Sequence, residues 1–106
     1  MTYQPFDLTG KTVLITGGNR GIGLGMATAI ANAGANLAIW GTNEDRNKQA
    51  IETLGKAGSG KMHAWKVNVA DEAQVENGFA EVLEHFGRVD STFANAGIGL
   101  SVWRYL

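Results

Sequence analysis

Three observations predict an α/β fold, a doubly wound parallel sheet. Four strand-like segments alternate with three helix-like segments, and this alternation favours parallel strands joined by right-handed crossovers. The first strand-like segment, 11–16, is apolar on both faces, as expected of a strand covered by helices on both sides. A glycine-rich turn joins this segment to the first helix. The predicted strand order is 3-2-1-4, the first half of a doubly wound sheet.

Turn and capping residues delimit the predicted elements. Gly34 is placed to end the first helix in the left-handed conformation, and Gly87 ends the third. Asn43 can cap the second helix, and Asp71 with Gln74 resembles a capping box at the start of the third. The predicted strands cover 11–16, 35–40, 63–67 and 89–94, and the predicted helices cover 21–33, 43–54 and 71–87. Between the second helix and the third strand we expect a flexible glycine-rich loop, 55–60.

Length and composition restrict the class of protein. The 106 residues suffice for one compact domain, 1–106, and are too few for two. A formal net charge of −1 gives no electrostatic basis for binding nucleic acid or an anionic membrane. With no cysteine, no signal-peptide pattern and no apolar stretch of membrane-spanning length, we expect a cytoplasmic protein without a membrane partner. His63 and His85 have no ligand-like spacing, so no metal site is predicted.

The segment from Thr16 to Gly23 carries the main functional signal. It contains the spacing G-x-x-x-G-x-G between a strand and a helix. Gly17 suits a tight turn, Gly21 suits a close approach to a pyrophosphate, and Gly23 suits close helix–strand packing. Backbone N–H groups at a helix N-terminus favour an anion. The predicted ligand is a dinucleotide, and the alternative is a structural turn that binds nothing.

The chain resembles the classical branch of the short-chain dehydrogenase/reductase family, whose fold is of the Rossmann type. Residues 16–23 match its T-G-x-x-x-G-x-G loop, and residues 94–97 match its N-N-A-G motif except that Ala94 replaces the first Asn. Asn68 and Val69 stand where the family usually has Asp-Val. The resemblance covers residues 6 to about 99 and implies an oxidoreductase that uses NAD or NADP on an alcohol or carbonyl substrate.

The resemblance also implies a set of cofactor-binding residues. The glycine loop would contact the pyrophosphate and the nicotinamide side, the residues after the third strand would contact adenine, and the N-A-G motif would contact the adenosine ribose region. The predicted residues are Gly17, Asn19, Arg20, Gly21, Ile22, Gly23, Gly41, Thr42, Asn68, Val69, Asn95, Ala96 and Gly97.

The end of the second strand favours NADP over NAD. A carboxylate at this position would bond the ribose 2′-hydroxyl and repel a 2′-phosphate, but Gly41 and Thr42 occupy it. Arg20 lies where family members that prefer NADP often have a basic residue, and a guanidinium binds phosphate well. The alternative is that Arg20 is a solvated loop residue.

The catalytic pair that the family implies is not in this sequence. Its Y-x-x-x-K motif has no match, since Tyr3 is followed four positions later by Asp7 and Tyr105 stands one residue before the end. No catalytic residue is therefore predicted. We interpret the chain as the amino-terminal, cofactor-binding half of such an enzyme, inactive alone and a homo-oligomer at full length. The alternatives are a non-catalytic dinucleotide-binding module and a truncated product.

Overall fold

The structure is a computed structural model that describes residues 7–19 and 21–94. In chain order its elements are β1 (Thr12–Thr16), α1 (Gly21–Asn32), β2 (Asn36–Gly41), α2 (Glu44–Ala57), β3 (Met62–Lys66), α3 (Glu72–Phe86) and β4 (Ser91–Ala94). The strands are all parallel and lie in the order β3-β2-β1-β4. The predicted fold class and strand order are confirmed. Within the described residues, no helix is both long and apolar enough to cross a bilayer.

The sheet separates two hydrophobic cores. Successive residues of a strand point to opposite faces, so Val13 and Ile15 of β1 pack towards α1 and α2, whereas Leu14 packs towards α3. Every residue of β1 is buried. The apolar character of this strand on both faces therefore reflects helices on both faces, as the sequence predicted.

The predicted capping residues lie at the ends of the helices, Asn43 and Asp71 at the beginning of α2 and α3. The side chain of Asn43 accepts a hydrogen bond of 3.0 Å from the backbone N–H of Arg46, and the side chain of Asp71 accepts from the first turn of α3. Gly34 and Gly87 follow α1 and α3 with φ angles of 97° and 80°. This left-handed conformation is the one in which glycine is favoured.

The second helix is longer than predicted. It continues through Gly55 to Ala57 instead of ending near Leu54. Leu54 is fully buried, and its carbonyl accepts a hydrogen bond of 3.2 Å from the N–H of Gly58. Packing of Leu54 and of the partly buried Ala57 against the core stabilises this last turn. The exposed Gly55 does not end the helix, because one glycine costs a helix only about 1 kcal/mol.

The segment expected to be a flexible loop packs closely against its neighbours. A Cβ atom at Gly58 would collide with the backbone carbonyl of Ala31 at the end of α1. A Cβ atom at Gly60 would collide in the same way with the carbonyl of Ala35. These two glycines therefore permit close backbone approach, and the expectation of a flexible loop was wrong for them.

Asp90 joins the beginning of β4 to β1. Its N–H donates to the carbonyl of Thr12, and its carboxylate accepts from the N–H of Thr12, both at 2.8 Å. Arg88 donates two hydrogen bonds to the same carboxylate, at 2.6 and 2.8 Å. The bonds from Arg88 and from the Thr12 backbone hold the pKa of Asp90 below its ordinary value. The N–H of Thr12 is bonded to this carboxylate and not to a backbone carbonyl of the neighbouring strand. The strand β4 therefore begins at Ser91 and not at residue 89 as predicted.

The two histidines, separated by 22 positions, meet in the fold. The ring of His63 on β3 lies 4.7 Å from that of His85 on α3, and Trp65 contacts both rings. Burial, and then the neighbouring His85, lower the pKa of His63, while Glu81 opposes this effect. No group of three or more potential metal-ligating side chains occurs in the described part of the chain.

The lowered pKa of His63 predicts loss of stability in mild acid. The folded protein binds this proton less readily than the unfolded chain, whose histidine titrates near its ordinary value of 6.5. Unfolding therefore becomes more favourable as pH falls from about 6.5 towards the lower folded pKa. We expect a lower urea midpoint at pH 5.5 than at pH 7.5, and a smaller difference in His63→Gln. An equal difference in the variant would contradict this account.

Candidate functional site

A cleft of about 470 Å³ lies at the carboxyl edge of the sheet, where β1, β2 and β3 end. Ligands of open α/β sheets bind at this edge because the loops there surround a crevice. The residues that line it are Gly17, Asn19, Gly21, Ile22, Trp40, Gly41, Thr42, Asn43, Arg46, Val67, Asn68 and Val69.

Two glycines shape the loop between β1 and α1. Gly17 has a φ of 69°, and its N–H donates to the carbonyl of Trp40 at 2.8 Å, which joins the ends of β1 and β2. Gly21 has a φ of 59°, and no atom of the described residues lies within 4 Å of where its Cβ would be. The backbone conformation at both positions therefore favours glycine, and among the described residues the cleft beside Gly21 is open to a ligand. Gly23 is buried within α1, as its packing role predicted.

The N-terminus of α1 opens onto the same cleft. Gly21 is the first residue of the helix, and the first turn contains no acidic side chain. The partial positive charge of the helix end is therefore not compensated by a carboxylate of its own helix. Ile22, with 78% of its surface exposed, lies at the mouth of the cleft. The helix end suits an anionic ligand, and Ile22 offers an apolar surface next to it.

The end of β2 is held by an amide network. Asn47 of α2 is buried, with only 6% of its surface exposed. Its Oδ1 accepts from Asn19 Nδ2 at 2.9 Å, and its Nδ2 donates to the carbonyl of Gly41 at 3.1 Å. The network fixes the loop after β1 against the last residue of β2. Sequence reasoning missed it, because nothing in the helical pattern distinguishes a buried Asn from an exposed one.

Arg46 brings one positive charge to this end of the cleft. Among the described lining residues there is no Asp or Glu, although Glu44 and Asp45 precede Arg46 in the first turn of α2. Arg46 was not among the predicted site residues. Its position in the first turn after Asn43 was the available signal, since that turn lies at the carboxyl edge of β2.

The segment after β3 presents Asn68 to the cleft. Its Oδ1 already accepts from the N–H of Ala70 at 3.0 Å, and its own N–H donates to Gln74 Oε1 at 2.9 Å. The Nδ2 group is thus the part of the side chain best able to contact a ligand. Trp40 is buried in the core and also lines the cleft.

The structure brings most of the predicted cofactor residues to one place. Those found around the cleft are Gly17, Asn19, Gly21, Ile22, Gly41, Thr42, Asn68 and Val69. Arg20 and the motif 95–97 lie outside the described residues. Four lining residues were not among the predicted cofactor-binding residues: Trp40, Asn43, Arg46 and Val67.

A parallel sheet whose glycine loop and helix N-terminus open onto a cleft at the carboxyl edge is an arrangement typical of nucleotide-binding α/β proteins. The family model for short chain dehydrogenases matches residues 11–104. The chain therefore belongs to the short-chain dehydrogenase family, as the resemblance had indicated.

Relatives and solved structures agree with this assignment. The chain is 44% identical to short chain dehydrogenase/reductase dpmpG of Macrophomina phaseolina over 92 residues, 87% of this chain and 53% of that protein. It is 40% identical to a probable NADP-dependent mannitol dehydrogenase of Yarrowia lipolytica over 90% of this chain and 34% of that protein. The structure of NAD⁺-bound xylitol dehydrogenase superposes with a TM-score of 0.81 at 29% identity, covering 89% of this chain and 35% of that one. The chain thus spans about half or less of the length of these proteins.

Proposed function

We propose that this chain is the cofactor-binding half of an oxidoreductase that interconverts an alcohol and a carbonyl by hydride transfer to or from a nicotinamide dinucleotide. Residues 1–106 form one domain in this proposal. The observation that carries it is the open space beside Gly21 at the uncompensated N-terminus of α1. A pyrophosphate there would accept hydrogen bonds from backbone N–H groups and lie at the positive end of the helix dipole.

The lining residues suggest how the rest of the dinucleotide is held. The exposed side chain of Ile22 offers an apolar surface to the nicotinamide side. Gly41 and Thr42 lie where the adenosine ribose would be placed beside the end of β2. Asn68 can donate its Nδ2–H to an acceptor nitrogen of adenine, because its Oδ1 is engaged by Ala70. We keep Asn95, Ala96 and Gly97 as proposed ribose-region contacts, as the family resemblance implies.

The preferred cofactor in this proposal is NADP. Arg46 places a cation in the cleft beside Gly41, and no described lining residue there would repel a 2′-phosphate. Arg20 of the glycine loop would add a second guanidinium. Charge-assisted hydrogen bonds from arginine to phosphate are strong and geometrically specific. One relative is described as NADP-dependent, while a structural neighbour holds NAD⁺, so the family accommodates both.

Calorimetric titration of the chain with NADP⁺ and NAD⁺ tests the proposal. We expect saturable binding of both, with NADP⁺ bound more tightly. Arg46→Ala should weaken NADP⁺ binding about fivefold, roughly 1 kcal/mol for one exposed ion pair, and leave NAD⁺ binding unchanged. Lys56→Ala, at the other end of α2, is the matched control and should change neither affinity. Absence of heat with both dinucleotides would overturn the proposed function, whereas tighter NAD⁺ binding would overturn only the preference.

A further inference from the structure

Both polar atoms of the Asn47 side chain form hydrogen bonds. Its Oδ1 holds the Nδ2 of Asn19, and its Nδ2 donates to the carbonyl of Gly41 at 3.1 Å and to that of Trp65 at 3.4 Å. The residue is buried in α2, so water has little access to its amide in place of these bonds. Asn47 therefore ties the loop after β1 to the ends of β2 and β3.

This network fills the space that a side chain at Gly41 would need. A Cβ atom there would collide with Asn19 Nδ2 and lie 2.5 Å from Asn47 Oδ1. The two obstructing amides are bonded to each other, so neither can move aside without losing a hydrogen bond. A buried polar group left without its partner costs about 1–3 kcal/mol. The obstruction is therefore maintained by the network itself.

The obstructed position is the one that distinguishes the two nicotinamide dinucleotides. A carboxylate at the end of the second strand accepts hydrogen bonds from a ribose 2′-hydroxyl and repels a 2′-phosphate. A single substitution that placed a carboxylate at Gly41 would have to displace one of these two amides and break the hydrogen bond between them. Whether position 41 can hold an acidic side chain thus depends on Asn47, a residue that does not line the cleft.

We propose that Asn47 is a positioning residue that restricts the end of β2 to glycine: by holding Asn19 against Gly41, it excludes the carboxylate that would select NAD⁺, and the site stays open to a phosphorylated dinucleotide. This inference rests on the proposed function. A purely structural role for Asn47 would also stabilise the fold, but it would not couple Asn47 to the effect of substitutions at Gly41 on NAD⁺ binding.

The test is a double-mutant cycle on the chain, with the Kd of NAD⁺ and of NADP⁺ measured by calorimetry. Gly41→Asp alone should weaken NADP⁺ binding at least tenfold and should not improve NAD⁺ binding, because its side chain displaces the amides. Gly41→Asp combined with Asn47→Ala should bind NAD⁺ at least tenfold more tightly than Gly41→Asp alone and reverse the selectivity. Asn47→Ala alone should leave the ratio of the two affinities within twofold.

Control variants test whether the effect comes from removing the obstruction at Gly41 and not from truncating any side chain of α2. Lys48→Ala, the exposed neighbour of Asn47, should not relieve the defect of Gly41→Asp. Gly41→Ala, with and without Asn47→Ala, repeats the cycle with an added Cβ but no added charge. Thermal unfolding verifies that each variant is folded. If Gly41→Asp binds NAD⁺ equally well with and without Asn47→Ala, the proposal is overturned and the proposed function stands. If the unmodified chain binds neither dinucleotide, the proposed function itself fails.

Discussion

Alanine at Gly21 is expected to weaken dinucleotide binding by at least tenfold while the domain remains folded. The φ of 59° is one that residues other than glycine adopt at a cost of roughly 1–2 kcal/mol. No atom of residues 7–19 and 21–94 lies within 4 Å of the added Cβ, so this part of the fold offers no collision. The methyl group would instead project into the space proposed for the pyrophosphate. Calorimetry with NADP⁺ and urea unfolding measure the two effects separately.

Gly87→Ala is the matched control for this experiment. Gly87 also has a positive φ, 80°, and no atom within 4 Å of its Cβ position, but it lies after α3 and does not line the cleft. Both alanine variants should lose a similar amount of stability, and only the variant at Gly21 should lose affinity. Equal affinities in the two variants would mean that no ligand approaches the glycine loop closely.

Gly58→Ala is expected to destabilise the fold by about 1–3 kcal/mol or more. The added Cβ would collide with the backbone carbonyl of Ala31, which cannot rotate away as a side chain can. The backbone of Gly58 is extended, with a φ of −150°, so any residue can adopt it and the effect is purely steric. The free energy of unfolding in urea measures the loss.

Gly55→Ala, only three positions earlier, should have the opposite effect. Gly55 is exposed within α2 and has no atom within 4 Å of its Cβ position, so alanine gains helix propensity of up to about 1 kcal/mol. The two substitutions are chemically identical and should change stability with opposite sign. If both prove neutral, the segment after α2 does not pack as the structure describes.

Local patterns predicted most of the fold. The strand β1, the caps at Asn43 and Asp71, and the glycine at 34 each follow from an interaction within a few residues, so the sequence alone was sufficient. The strand order followed from general rules of connection and handedness. The glycine loop likewise indicated the position of the cleft, because its strand and helix context could be recognised.

Contacts between distant segments could not be predicted in this way. The end of α2 depends on the burial of Leu54, and the pairing of His63 with His85 depends on how α3 crosses β3. The network of Asn19, Asn47 and Gly41 joins three elements. No local pattern specifies which polar side chain of a helix will face a loop 28 positions earlier.

The location of bound NADP⁺ tests the central claim most directly. Amide chemical shifts of the ¹⁵N-labelled chain should change on titration at Gly17, Gly21, Gly41 and Asn68, at the carboxyl edge of the sheet. They should not change at Gly87, which follows α3 outside the cleft. Saturable changes confined to residues outside the cleft would contradict the account.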